Sequence, residues 1–486
     1  MEMKNKFFIK NDILKLDRKA WDALLAWPDA IGFDPFYNGI DYAAMLRWRL
    51  WHKIGRYFRF NFPEANNSLE EKLMKTANAR YLDPYFATRF PKLSPEDELS
   101  LRHKRKKLHS EDKHIVFIPC PNRLGNVIDE LKLRNKTCIW TAMDLGVPLS
   151  LLKEASSTWL DELYNGILDG LSKKGTGILS VDREILKREI SGVSRALQVA
   201  DAQMNILKPD LLLVRTDDGG RSKAYVLAAQ KYGIPVFKSQ EGLDCEHFWF
   251  DKSYSTYVAA WGNERIDRYR NASPEADSID MRATGNPSFD HLRPPEKINT
   301  EGRFIIWLTR PHLPERCYLP SRTPQEGIDI FDALLDILKE CDLNLCIKPH
   351  PYTFDSLFLE RAEERGMKER VFVYKGNLHE ILNDAKLVVS EDSTAGLEAM
   401  IFGKPLIHAH FAPSPPVMPF VSYGAAFPGW DAASLKENIF ECLKLDKMEQ
   451  HAMHSNQLRF IKDFASELDG HASKRAVNFI EEILYL

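Results

Sequence analysis

Paired cysteines are missing from this chain. Its seven cysteines, at 120, 138, 245, 317, 341, 346 and 442, form no Cys-x-x-Cys pair and keep no fixed spacing. Such an odd, scattered set argues for reduced thiols and against a disulfide framework or a zinc site. No run of about eighteen apolar residues occurs, so no spanning helix is expected. The start, Met1 to Lys19, is charged and lacks the apolar stretch of a signal peptide. An excess of one charge is also absent: 66 Lys and Arg stand against 69 Asp and Glu, and no global field recruits nucleic acid. No Asp-x-Asp motif falls between strands, so no metal is expected, and nothing in the chain implies a cofactor. No internal repeat or low-complexity segment stands out. These absences describe a cytoplasmic protein, at most touching the inner face of the cytoplasmic membrane.

What is present is enough for a large enzyme. A chain of 486 residues, 44% hydrophobic and 28% charged, buries a sizeable core and divides into two or three domains. Residues 1–110 are rich in aromatic and basic side chains and poor in strand patterns. Within them, 42–62 reads as one helix with Met45, Trp48, Trp51, Ile54, Tyr57 and Phe58 among Arg47, Arg49, Lys53, Arg56 and Arg59. That helix either lies on an anionic membrane surface or packs on the next domain. A basic run, Arg102 to Lys107, closes the segment.

From Ile115 the pattern becomes α/β. Short apolar runs at 115–118, 137–141, 211–214, 234–237, 256–260 and 281–284 alternate with helical patterns at 122–133, 149–171, 183–207 and 221–232. A second set begins at 304–308 and continues through strands at 343–347, 371–374, 387–389 and 406–408, followed by a helical tail. Such alternation implies parallel sheets with right-handed crossovers. The proline-bearing stretch 286–295 reads as a linker. The expected division is 1–110 as a helical segment, 111–295 as a Rossmann-like acceptor domain, 296–445 as a Rossmann-like donor domain, and 446–486 as C-terminal helices. Two such domains facing each other hold a ligand between the carboxyl ends of their sheets.

Two segments about forty residues apart carry the chemistry. Lys348-Pro349-His350-Pro351 follows one strand, and Ser390-Glu391-Asp392-Ser393-Thr394-Ala395-Gly396-Leu397-Glu398 follows another and opens a short helix that closes at Gly403 and Pro405. Free N–H groups at the helix start, the Ser393 and Thr394 hydroxyls, and Lys348 with His350 are the expected contacts of a nucleotide phosphate. The proline after His350 holds it extended and aims the ring into the cleft. Thr309 and Arg310 follow the first strand of the second set and face the same crevice, Arg310 as a bidentate phosphate partner or a solvated loop residue. Lys404 reads most simply as a partner of the preceding helix's C-terminal dipole.

At this point the residues resemble a family. Gly285-Asn286-Pro287-Ser288-Phe289-Asp290 is similar to a signature of CDP-glycerol glycerophosphotransferases, and the two segments above are similar to the donor half of the same group. With the capsule Kdo and sialyl transferases, that group implies the GT-B fold: α/β, two Rossmann-like domains facing a central cleft, here with an extra mainly helical N-terminal segment. The resemblance covers roughly residues 205 to 440. It implies that Glu398 accepts from ribose hydroxyls. Where the CDP-glycerol enzymes carry Gln-His-Gly with a catalytic histidine, this chain has Gln240-Glu241-Gly242. The acidic residue looks like the base of the Kdo and sialyl transferases, as does Asp217-Asp218-Gly219. Glu241 and Asp218 are therefore the candidate bases, and His350 the catalytic partner on the donor side.

The implied activity is sugar transfer from a nucleotide-activated donor, cytidine favoured over uridine, to a cell-surface polysaccharide or glycolipid. Two rivals share the architecture. One is a UDP-sugar 2-epimerase, which needs no acceptor. The other is a nucleotide-binding scaffold without catalysis, kept open by the missing histidine.

Overall fold

Six short apolar runs between residues 114 and 283 align as one parallel sheet: β1 (His114–Phe117), β2 (Thr137–Trp140), β3 (Leu211–Val214), β4 (Val236–Ser239), β5 (Tyr257–Ala260) and β6 (Asp280–Ala283). Their order across the sheet is β6-β5-β4-β3-β1-β2. A second parallel sheet contains β7 (Phe304–Leu308), β8 (Asn344–Lys348), β9 (Val371–Val373), β10 (Ala385–Ser390), β11 (Leu406–Ala409) and β12 (Phe427–Gly429), in the order β9-β8-β7-β10-β11-β12. Both are doubly wound, and each reverses direction beside its first strand, between β1 and β3 and between β7 and β10. Ligands of such sheets sit at those reversals, outside the carboxyl ends of the strands. The two-sheet α/β architecture of the GT-B type is what the sequence led us to expect. These statements come from a computed structural model, which describes residues 21–47, 50–51, 90–174, 183–217, 220–243, 253–272, 274–293, 301–311, 324–350, 353, 355–412, 416 and 418–485.

The inner strands are mostly apolar because helices cover the faces of each sheet. On one face of the first sheet, Val116, Ile118 and Phe237 pack against Ala476, Val477, Phe479 and Ile480 of the helix Ala472–Leu484. The C-terminal helix therefore lies on the first domain, having crossed back from the second. In the second sheet, Trp307 stacks on Phe331 at 5.6 Å between ring centroids and meets Phe358 edge-on at 4.9 Å.

Trp21, Trp27, Tyr42 and Trp51 of the aromatic N-terminal segment belong to the core. Trp21 and Trp51 meet edge-on at 5.7 Å, and Tyr42, Met45, Leu46 and Leu50 are buried beside them. Arg47 donates to the Tyr254 hydroxyl at 2.9 Å. The described part of the helix expected over 42–62 thus has its apolar residues buried. Residues 48–49 and 52–62 lie outside the described residues. A two-stranded hairpin, Phe36–Tyr37 with Ile40–Asp41, interrupts the helical character. Among the described residues no helix is long and apolar enough to cross a membrane.

Three differences from the sequence reading have local causes. The helix expected over 149–171 starts only at Ser157, because the Ser156 hydroxyl accepts from the Trp159 N–H and caps it there. Strand β4 extends to Lys238 and Ser239, polar residues that are nonetheless buried. Strand β12 carries Pro428 and no apolar run, which is tolerated because it is the sheet's edge.

Candidate functional site

Register brings the expected donor loops to one row. Leu308 at the end of β7 is level with Lys348 of β8 on one side and with Ser390 of β10 on the other. The segments leaving those strands, Thr309–Arg310, Pro349–His350 and Glu391–Thr394, therefore emerge together at the reversal of the second sheet. Hydrogen bonds tie them to one another. The His350 N–H donates to the Thr309 hydroxyl at 2.9 Å, and Thr309 Oγ1 lies 3.1 Å from Thr353 Oγ1. Thr353 Oγ1 donates to the Arg310 carbonyl at 2.8 Å. The Arg310 N–H reaches Glu391 Oε1 at 3.3 Å. Thr309 and Arg310 are buried, so Thr309 works as the knot of this loop rather than as an open contact. Lys348 and His350 remain half-buried at the rim.

Behind Ser393, Asp392 is fully enclosed. Its carboxylate lies 2.8 Å from His408 Nε2 and 3.0 Å from His410 Nδ1, and it accepts from the Met418 N–H at 2.8 Å. This buried cluster fixes the turn from which Ser393 and Thr394 project, and the sequence reading missed it. Its signal was the spacing His408-Ala409-His410 on a buried strand.

The helix that follows, Ala395–Ile401, is only seven residues long, and Thr394 makes no capping bond to it. A dipole of that length contributes little, which moves any anion binding onto side chains. Thr394 points elsewhere. Its Oγ1 accepts from the Leu243 N–H at 3.1 Å, across the cleft. Glu398, expected at a ribose, holds His379 Nε2 at 2.7 Å, and the His379 ring stacks on Phe402. Lys404 has partners beyond its own helix. It is buried and donates to the carbonyls of Asn383 and Ala385 at 3.0 and 3.1 Å. Burial pushes its pKa down to about 8.

On the first-domain side the loop after β4 is locked by Gln240. The Trp261 N–H donates to Gln240 Oε1 and the indole N–H to the Gln240 carbonyl, both at 2.8 Å. Gly242 then turns the chain with φ +74°, a conformation that favours glycine. Between them Glu241 points to two cations: its Oε1 lies 2.8 Å from Arg215 Nη1 and 3.4 Å from Arg123 Nη1.

Asp217 has a different surrounding. It is buried, pairs with Lys238 Nζ at 2.5 Å, and accepts from the Ser253 and Ser255 hydroxyls and the Tyr254 and Ser255 N–H groups. Burial alone would raise its pKa, but Lys238 and the hydroxyls outweigh that and hold the carboxyl far below the usual range. Asp217 is a fixed structural anion, unable to take a proton from an acceptor. Asp218 lies outside the described residues.

The Gly285–Asp290 signature does structural work. Asp290 accepts from the Ala472 and Ser473 N–H groups at 2.8 and 3.0 Å, capping the C-terminal helix. Gly285 has φ +84°, and a side chain there would meet Ala472 and Arg475. Arg475 Nε donates to the Thr284 carbonyl at 2.8 Å. The motif is the socket that seats the returning helix on the first domain.

Fold and cleft define a two-domain α/β protein of the GT-B type. No protein-family model matches the chain, and no curated protein matches its sequence. Solved structures with a similar chain trace include Staphylococcus aureus MnaA with UDP, 16% identical, covering 77% of this chain and 97% of that one at a TM-score of 0.49. The UDP-GlcNAc 2-epimerase of Neisseria meningitidis bound to UDP-GlcNAc is 15% identical, covering 76% and 99% at 0.48. A glycosyltransferase of Rickettsia africae is 13% identical, covering 77% and 99% at 0.43. Likenesses this distant carry nothing about the reaction.

Proposed function

We propose that this protein is a GT-B glycosyltransferase that moves a sugar from a nucleotide-activated donor to a glycan or glycolipid acceptor. The observation that carries the reading is the bond from the Leu243 N–H to Thr394 Oγ1. It joins the loop bearing Glu241 to the loop bearing Ser393, so a candidate base and a candidate phosphate site face one cleft. Transfer needs both: a group to take the acceptor's proton and positive charge at the departing phosphate.

In this reading Glu241 is the base. Lys348, His350 and Ser393 meet the phosphate, with Arg310 and Thr309 shaping that loop and Thr394 linking the two halves. Lys348 supplies charge at the rim, where among the described residues it has no carboxylate partner. Glu398 acts through His379 in placing the nucleoside. Cytidine donors are favoured over uridine.

Calorimetry with CMP, CDP, UMP, UDP and GDP against wild type and His350→Ala tests the donor half. Tight binding of a cytidine nucleotide that weakens in the variant supports it, and silence from all five removes the transferase reading. Glu241→Gln is expected to lower transfer by about 10²–10⁴ while nucleotide affinity stays unchanged. Turnover of UDP-N-acetylhexosamine with no acceptor present would instead select the 2-epimerase.

A further inference from the structure

Among the described residues, the mouth of the first sheet sets two arginines against one carboxylate oxygen. Arg215 leaves the end of β3 and Arg123 the loop after β1, so both flank the reversal where a doubly wound sheet takes its ligand. Both guanidinium groups fall on the same oxygen, Oε1 of Glu241, and among the described residues no second carboxylate joins them. Asp217 cannot, since its oxygens are taken by Lys238, Ser253, Tyr254 and Ser255.

Cys120 lies in the same loop as Arg123. Burial raises the pKa of the Cys120 thiol, and the charges of Arg221 and Arg215 oppose that rise. Arg123 is also held in an unusual backbone state. Its φ is +64°, in the left-handed region, inside a turn closed by the Leu124 N–H to the Pro121 carbonyl at 3.0 Å. Asn126 anchors the following helix by donating to the Pro287 carbonyl at 2.6 Å. Non-glycine residues in that region are uncommon, and strain of this kind gathers at ligand clamps. The Arg123 side chain is 64% exposed and Arg215 28%, so both reach the cleft.

We infer that Arg123 and Arg215 form an anion subsite for a carboxylate or phosphate group borne on a sugar, and that Glu241 occupies it as an internal stand-in while the cleft is empty. The inference rests on the transferase reading and names a property of its substrates: either the transferred sugar or the acceptor is acidic. A planar guanidinium presents a fork of donors that suits both groups. When the substrate's anion enters, the two arginines turn to it and release Glu241 Oε1 toward the acceptor hydroxyl. The base is thus exposed only when the correct charge is present, and a neutral sugar leaves it tied.

The test is a ligand-observed NMR titration of the full chain with glucuronate, glucose 6-phosphate and uncharged glucose. The acidic sugars are expected to bind and glucose is not. Arg123→Gln, which alters an exposed side chain, and Arg215→Gln should each weaken the acidic sugars by about tenfold or more. Glu241→Gln removes the stand-in and should tighten them by about tenfold, the opposite sign to loss of a direct contact. Equal binding of glucose overturns the inference. So does a Glu241→Gln variant that binds the acidic sugars no better than wild type, or no acidic sugar binding at tens of millimolar.

Repeating the titration with saturating CMP separates the sources. Glucuronate binding that CMP tightens assigns the anion to the transferred sugar; glucose 6-phosphate binding indifferent to CMP assigns it to the acceptor. Failure of the nucleotide panel would remove the transferase reading and leave this titration's outcome standing.

Discussion

At the mouth of the first sheet, charge is held by charge: Asp217 by Lys238, Glu241 by Arg215 and Arg123. At the mouth of the second sheet, Thr309, Thr353, His350 and Arg310 hold one another through hydroxyl and main-chain groups. Asp392 with its two histidines is a titratable cluster there, and it lies behind the loop. The first mouth contains one carboxylate sealed in and one at the surface of the cleft, just past the neighbouring strands β3 and β4 but opposite in use. An ion pair is a working group only where a ligand can compete for it. Asp217 has no such access, and Glu241, with a quarter of its side chain exposed, does.

Breaking the sealed pair gives the largest effect. Asp217→Ala leaves Lys238 buried without its counter-charge and strands four donors, and a loss of about 3–5 kcal/mol is expected from urea denaturation. A loss below about 1 kcal/mol would mean the pair is open to water and the contrast with Glu241 false. Next comes the socket of the returning helix. Asp290→Ala removes the acceptor for two helix N–H groups, and should cost about 0.5–2 kcal/mol without altering nucleotide affinity. A change in nucleotide affinity alone would give the signature a ligand-binding role that its contacts do not indicate.

The cross-cleft bond is expected to be smaller still. Thr394→Val keeps the shape and removes the acceptor for the Leu243 N–H, at about 0.5–1.5 kcal/mol. Small-angle scattering of the variant should show a wider spread of domain separations; an unchanged profile would mean that other contacts set the closure. Lys404 gives the most pH-dependent effect. Its folded pKa of about 8 lies below its ordinary 10.5, so between those values the unfolded chain binds more protons than the folded one. Stability relative to Lys404→Met should therefore rise as pH increases from 8 toward 10.5, and stay level below 8. A difference that falls across that window would show the ammonium form to be the one the fold prefers.

Much of the fold was legible because parallel strands covered on both faces leave runs of consecutive apolar residues. The helix Arg183–Leu207 and the strands Leu211–Val214 and Phe304–Leu308 have the bounds their patterns indicate. The loops after β7, β8 and β10 were legible as a group, since residues just past such strands must meet at one edge. What each residue does there was less legible. Thr309 and Thr394 are small hydroxyl residues of the same kind, yet one ties a loop within its domain and the other reaches the opposite domain. The edge strand Phe427–Gly429 and the buried Lys238 broke the apolar pattern, each for a reason supplied by a neighbour distant in sequence.

By itself, the sequence determined the α/β class, the alternation that forces parallel sheets, and the row of polar loops past their strands. These follow from periodicity and from the few backbone conformations available to each short run. Only the tertiary structure decided that Asp217 is sealed while Glu241 faces the cleft, that Gly285–Asp290 seats a helix, and that Trp21, Trp27, Tyr42 and Trp51 turn into the core. Burial and pairing depend on which distant segments arrive at the same place, and local sequence carries no record of that.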